Sequence, residues 1–266
     1  MLFLLDYEKE YDFITQDTLI YKQQLDKRKE FDSYVIVSAG DFFLPDGISL
    51  KDKCDFPSSY QSAIPIGSIQ FINAYLNIFF SISREKAIEI PRFMQTDFFL
   101  KRQYSIMRGQ NLPRKGLFFL KDVSIQRSFS FTGKIEKLRE ELPSAIIPDH
   151  NYLLSEVLIV LSEFRVYVID LSIKNISHYS GNPTILPDIE LIRKAVECYG
   201  NHVECPKSFS MDFMVTPRGT CLIEIHSFLS LGMYWTKWDT SLIDGYVESY
   251  QHVLNSHMKS QGFFLS

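Results

Sequence analysis

SFSMDFMVTPRGTCLIEIHSFLSLGMYW, residues 208–235, decides the fold of this chain. Two apolar runs flank Val215-Thr-Pro-Arg-Gly219, a short polar link with Pro and Gly that signals a hairpin. Side chains alternate along a strand, so Glu224 and His226 share a face, and the hairpin brings Asp212 across from them. Two carboxylates and an imidazole on one face suit a hard divalent cation, with Mg2+ the expected ion. Isolated acids also occur on solvated strand faces, and the spacing by itself leaves that alternative open.

Working outward, Ser162-Glu-Phe-Arg-Val-Tyr-Val-Ile169 reads as a buried strand in which Glu163 and Arg165 share a face. A long cation in an apolar strand calls for an anionic partner, here expected to be phosphate, an acyl phosphate or an acidic substrate. Further upstream, Gly116-Leu-Phe-Phe-Leu-Lys121 is an apolar strand ending in a lysine, followed by the small-residue, basic loop Gln126-Arg-Ser-Phe-Ser-Phe-Thr-Gly133. A lysine is a compact point charge suited to phosphate, and loop N–H groups add donors. An ordinary strand-end lysine is the alternative for Lys121. Downstream, Pro183 and Pro187 lead into an amphipathic helix over Asp188–Tyr199 closed by Gly200. His178 and Tyr179 are expected to border the substrate site, but a lone strand-end histidine is more often structural and stays outside the catalytic set.

Taken together, approximately residues 94–235 resemble the ATP-grasp superfamily, in particular its small stand-alone domain proteins. The features that carry the resemblance are the order acid, hairpin, Glu-x-His, and the tail Ile225-His-Ser-Phe-Leu-Ser-Leu-Gly-Met-Tyr234. The spacing of Glu156 and Glu163, seven residues apart, adds to them. The resemblance implies a two-lobed α/β fold: a small N-terminal α/β domain over 1–93, then an ATP-grasp module with an antiparallel sheet over 94–266. That module would divide into a nucleotide-binding lobe, 94–150, and a hinge and metal-binding lobe, 151–266. It further implies ATP, with Lys121 and Arg127 on phosphates, the hinge from Glu156 through Val157 to Ile159 pairing with adenine, and Glu163 holding the ribose. Asp212, Glu224 and His226 would hold Mg2+, and Arg165 would stabilise a charged intermediate. The implied activity is a carboxylate–amine ligase forming an amide or peptide bond through an acyl phosphate, with small-molecule or peptide substrates. A phosphotransferase or a non-catalytic nucleotide-binding protein on the same fold is the alternative, and a structural protein is a third. Two departures stand out: many family members have Asn in place of His226, and the lysine that usually precedes the phosphate-binding strand has only Lys101 and Arg102 as nearest matches.

Composition agrees with a globular protein. The 266 residues include 45% hydrophobic residues, ample for a core in one large or two joined domains. A formal net charge of −4 argues against a general nucleic-acid binder. The one basic run, Leu25-Asp-Lys-Arg-Lys-Glu30, is flanked by acids and reads as a solvated helix face. Cys54, Cys198, Cys205 and Cys221 show no CxxC spacing, so reduced thiols in a cytoplasm are the simpler account. Met1-Leu-Phe-Leu-Leu5 is too short for a secretory core or a membrane span, and no membrane association is expected. In the N-terminal part, Ser68 is a good N-cap for an apolar-periodic helix through Phe80, and the strand and helix alternation points to parallel strands. The Ile64–Ser68 turn is either a plain helix start or a site where backbone N–H groups meet an anion. Asp239–Tyr250 reads as a capped terminal helix.

Overall fold

The computed structural model describes residues 1–7, 14–47, 49–83, 88–124, 129–229, 231–234 and 237–260. The chain opens with β1 (Leu2–Asp6), α1 (Gln16–Asp26), β2 (Ser33–Val37), β3 (Ile64–Ile66) and α2 (Ile69–Phe80). The three strands pair parallel in the order β2-β1-β3. Parallel neighbours need a crossover, which α1 supplies between β1 and β2. The central strand is correspondingly an unbroken apolar run, with Phe3, Leu4 and Leu5 fully buried. Ser68 caps α2 as expected, accepting the Phe71 N–H at 3.2 Å. Asp6, at the end of β1, fastens that cap by accepting the Ser68 N–H at 3.0 Å and its hydroxyl at 2.6 Å. Gly67 is needed there because a Cβ would lie 2.1 Å from Asp6 Cβ.

Next come α3 (Asp97–Leu100), β4 (Tyr104–Arg108), β5 (Leu117–Asp122), β6 (Ser130–Lys134), α4 (Ile135–Glu141) and β7 (Asn151–Ser155). These strands form an antiparallel sheet of order β4-β7-β5-β6 over a small core of Leu120, Ile135, Leu138, Tyr152 and Leu154.

The last sheet is built from β8 (Ser162–Ile169), β9 (Ser172–Gly181), β10 (Phe209–Thr216) and β11 (Gly219–His226), with α5 (Ile189–Gly200) between β9 and β10. Its antiparallel order is β11-β10-β8-β9. Period-two alternation explains its position. Val166, Val168, Phe209, Met211 and Phe213 pack on one face against Leu191, Ile192 and Ala195 of α5. From the other face, Tyr167 and Ile169 join the core of the N-terminal sheet.

The C-terminal helix α6 (Ser241–Ser260) belongs to that same core, with Leu242, Ile243 and Tyr246 beside Phe3, Leu5 and Tyr21. The basic run is not simply solvated: Arg28 pairs with Asp32 at 2.8 Å and with Asp244 of α6 at 2.6 Å, joining the turn after α1 to the last helix. The four cysteines are free. Among the described residues, no helix is long and apolar enough to cross a membrane.

Candidate active site between the antiparallel sheets

The hairpin forms as its sequence requires, with Asp212 opposite Glu224 and a bulge just after that pair. One potential ligand atom from each of Asp212, Glu224 and His226 falls within 4.8 Å of the others. His226 Nε2 is buried, 2.8 Å from Glu224 Oε1 and 3.8 Å from Asp212 Oδ2, yet without hydrogen-bond geometry to a partner among the described residues. A buried acceptor or donor left in that condition is costly, so an imidazole aimed at two carboxylates fits a cation-binding role. Asp212 is engaged: Arg165, directly across on β8, donates from Nε to Oδ1 at 2.8 Å and from Nη2 to Oδ2 at 2.7 Å. The anionic partner expected for Arg165 is therefore a carboxylate of its own chain. Burial works against the guanidinium charge, but Asp212 outweighs it and raises the Arg165 pKa. Arg165 also donates to the Gly232 carbonyl at 3.2 Å and lies over the stacked rings of Tyr179 and Tyr234.

Lys121, at the end of β5, reaches across from the other sheet and pairs with Glu224. Burial alone would raise the Glu224 pKa, but His226 and Lys121 together hold it well below the usual carboxylate range. Two clefts meet at this point. One, of about 220 Å³, lies between the sheets, with Ile88, Ile90, Tyr104, Leu153 and Ile225 among its walls. The second, of about 410 Å³, is lined by residues of the N-terminal unit together with Arg165 and Tyr234. Lys121, Glu224 and His226 line both.

Such a junction is what a group transfer between two bound molecules needs. A family profile described as an ATP-grasp domain matches residues 99–241, more than half of the chain. The chain is an ATP-grasp protein. Solved structures agree on the fold. D-alanine–D-alanine ligase from Bacillus anthracis superposes with a TM-score of 0.55 at 12% identity, covering 96% of this chain and 98% of that one. Its complex with ATP gives 0.54 at 12% identity, covering 98% and 99%. D-alanyl-alanine synthetase A from Vibrio cholerae gives 0.51 at 12% identity, covering 95% and 97%. No curated protein showed significant sequence similarity.

The remaining expected positions of this ATP-grasp protein are distributed unevenly. Glu156 sits in the loop after β7, where both its oxygens accept from Arg218, at 2.6 and 3.0 Å, and Oε1 also accepts the Gln103 N–H at 2.9 Å. Val157 and Ile159 are exposed on that loop, and neither they nor Glu163 line the two clefts. Glu163 is half-buried on β8 opposite Met214. Arg127 lies outside the described residues. Arg102, a nearest match for the missing lysine, is turned inward and donates to the Leu222 carbonyl at 2.7 Å, lining the cleft between the sheets. Sequence reading missed Tyr104 in the same cleft, where burial pushes the phenol pKa up to about 12. It also missed Asp17 and Tyr21 in the second cleft. The turn before α2 was the one available signal, and its Gly67 and Ser68 do line that second cleft.

Proposed function

We propose that this ATP-grasp protein is an ATP- and Mg2+-dependent ligase that joins a carboxylate to an amine through an acyl phosphate. The observation that carries the reading is the meeting of two clefts at Lys121, Glu224 and His226. The cleft between the sheets has the apolar walls an adenine ring needs, and its lysine and arginine suit phosphates. The second cleft, next to it, receives the carboxylate substrate. Lys121 holds the terminal phosphoryl group, and the guanidinium of Arg165, kept in place by Asp212, stabilises charge on the acyl phosphate. Glu224 and His226, with Asp212 behind them, would hold Mg2+, which would offset negative charge on the phosphates. A carboxylate oxygen attacks the terminal phosphorus and ADP departs. The amine nitrogen then attacks the acyl carbon, inorganic phosphate leaves, and the amine gives up a proton. The burial of Arg165 and Asp212 supports a fixed charge at the back of the site during transfer.

Thermal stability with ATP, with Mg2+ and with both, for the natural chain and for Glu224→Ala, tests this reading when combined with ADP release. Joint stabilisation that is lost in Glu224→Ala, with ADP release dependent on an added carboxylate, is expected. ADP release that depends on a hydroxyl acceptor instead would convert the reading to a phosphotransferase, and no shift under any condition would end the nucleotide assignment.

A further inference from the structure

The second cleft is not electrically symmetrical. Both of its strong cations already have carboxylate partners: Lys121 pairs with Glu224, and Arg165 pairs with Asp212. From α1 the cleft receives Asp17, whose Oδ1 accepts the Met233 N–H at 2.8 Å and which has no cationic partner among the described residues. One turn on, Tyr21 also lines the cleft. It is 3% exposed, and its hydroxyl has no hydrogen-bond partner among the described residues. Its ring is held edge-on against Tyr246, with centroids 4.9 Å apart, so the hydroxyl is fixed in place. Buried hydroxyls are almost always satisfied, and an orphan beside an unpaired carboxylate points to a bound donor with several hydrogens. An ammonium group has three such hydrogens and the matching charge.

We infer that the carboxylate substrate is an amino acid whose ammonium group is held by Asp17 and the Tyr21 hydroxyl while its carboxylate lies toward Lys121 and Arg165. The inference rests on the ligase reading and specifies its acyl donor. There is a chemical consequence. An amine held as an ammonium against Asp17 has no free lone pair, so it cannot attack its own acyl phosphate. The nucleophile therefore comes from a second molecule.

Hydroxylamine trapping tests the assignment without knowledge of that second molecule. The acyl carbon takes the hydroxylamine nitrogen, phosphate leaves, and the hydroxamate is detected. The probes are the common amino acids in both chiral forms, each set against its deaminated counterpart, for example alanine against propionate and glutamate against glutarate. Asp17→Asn removes the charge but keeps an acceptor for the Met233 N–H, and Tyr21→Phe keeps the packing. Hydroxamate is expected from at least one amino acid in preference to its deaminated partner. That preference should fall tenfold or more in Asp17→Asn and severalfold in Tyr21→Phe, with melting temperatures close to the natural chain. Equal use of both acids, or a preference unchanged in Asp17→Asn, overturns the assignment. If no acid gives hydroxamate, the ligase reading fails, and the subsite is then judged by binding. Stabilisation by amino acids but not deaminated acids, lost in Asp17→Asn, supports the subsite, and its absence overturns it.

Discussion

The two antiparallel sheets that face each other across the cleft are built to opposite specifications. In the β11-β10-β8-β9 sheet, β10 is buried along its whole length and β8 nearly so, because α5 covers one face and the N-terminal unit with α6 covers the other. Into that buried surface the sheet admits Arg165 and Asp212, and it carries the half-buried Glu224 and His226 beside them on β11. The β4-β7-β5-β6 sheet is thinly covered, β6 alternating between exposed and half-buried residues, and it contributes one charged group to the junction, Lys121. One sheet holds a preorganised charge network, and the other brings a single cation to it. A group fixed in low dielectric gains strength as an electrostatic catalyst, while a cover must be able to move to admit a nucleotide.

The comparison predicts that breaking the buried Arg165–Asp212 pair of the first sheet acts mainly on stability, and that removing Lys121 from the second acts mainly on chemistry. Asp212→Ala provides the largest expected effect. It leaves the Arg165 guanidinium, whose side chain is 10% exposed, without its carboxylate. Removing one member of a buried pair typically costs about 3–5 kcal/mol. Chemical denaturation should show a loss of that order, and a loss comparable to a surface substitution would break the comparison at its base.

Lys121→Ala should behave in the opposite way. Its pair with Glu224 bridges the sheets with both side chains about a quarter exposed, 27% and 25%. Solvent screening limits such a pair to about 1 kcal/mol or less. Transition-state charge stabilisation by such a group is worth on the order of a hundredfold or more in rate. ADP-release kinetics alongside a denaturation curve would separate the two quantities, and a large stability loss with little change in rate would reverse the roles assigned to the sheets.

Sequence reading reached these two sheets to different depths, and the reason is distance along the chain. The hairpin that gathers Asp212, Glu224 and His226 is local, so strand alternation and one turn were enough to read it. The demand of Arg165 for an anion was also legible, because a cation in an apolar strand must be paired. Which anion was not legible. Its answer is the β8–β10 pairing, which joins residues 47 positions apart. The Lys121–Glu224 pair spans 103 positions, and the sharing of one core by α6 and β1 spans almost the entire chain. No periodicity carries such information, because it is set by which faces remain to be covered once each sheet has formed. The same applies to Asp17 and Tyr21, which sit on a helix with an ordinary sequence and gain meaning from the cleft they line.

A pH titration sharpens the contrast further. The Glu224 pKa is held below its unfolded value by His226 and Lys121, against the opposing pull of burial. The unfolded chain therefore binds that proton more readily than the folded one. The stability the group contributes is complete above about pH 5, beyond the ordinary glutamate range, and is lost as pH falls toward the folded value. Urea melts of the natural chain and Glu224→Gln between pH 7 and pH 3 should show a gap that is widest at neutral pH and closes on acidification. A gap that stays constant or widens toward low pH would mean that Glu224 is not held ionised by its neighbours.

The smallest effect is expected where the two sheets are tied by a pair of a third kind. Arg218 in the β10–β11 turn binds Glu156 after β7 through two hydrogen bonds and donates to the Lys101 carbonyl at 3.2 Å. The geometry is bidentate, which favours the pair, but Arg218 is 53% exposed, so water competes for both partners. Glu156 also keeps its bond to the Gln103 N–H when the arginine is removed. Arg218→Ala should therefore leave the denaturation midpoint within measurement error of the natural chain. Any effect should appear instead in the concentration of ATP needed for half-maximal stabilisation, since Glu156 also holds Gln103, which lies between the cleft residues Arg102 and Tyr104. A clear drop in stability with unchanged ATP dependence would show that this surface pair holds the two sheets together, a role the comparison assigns to the buried faces.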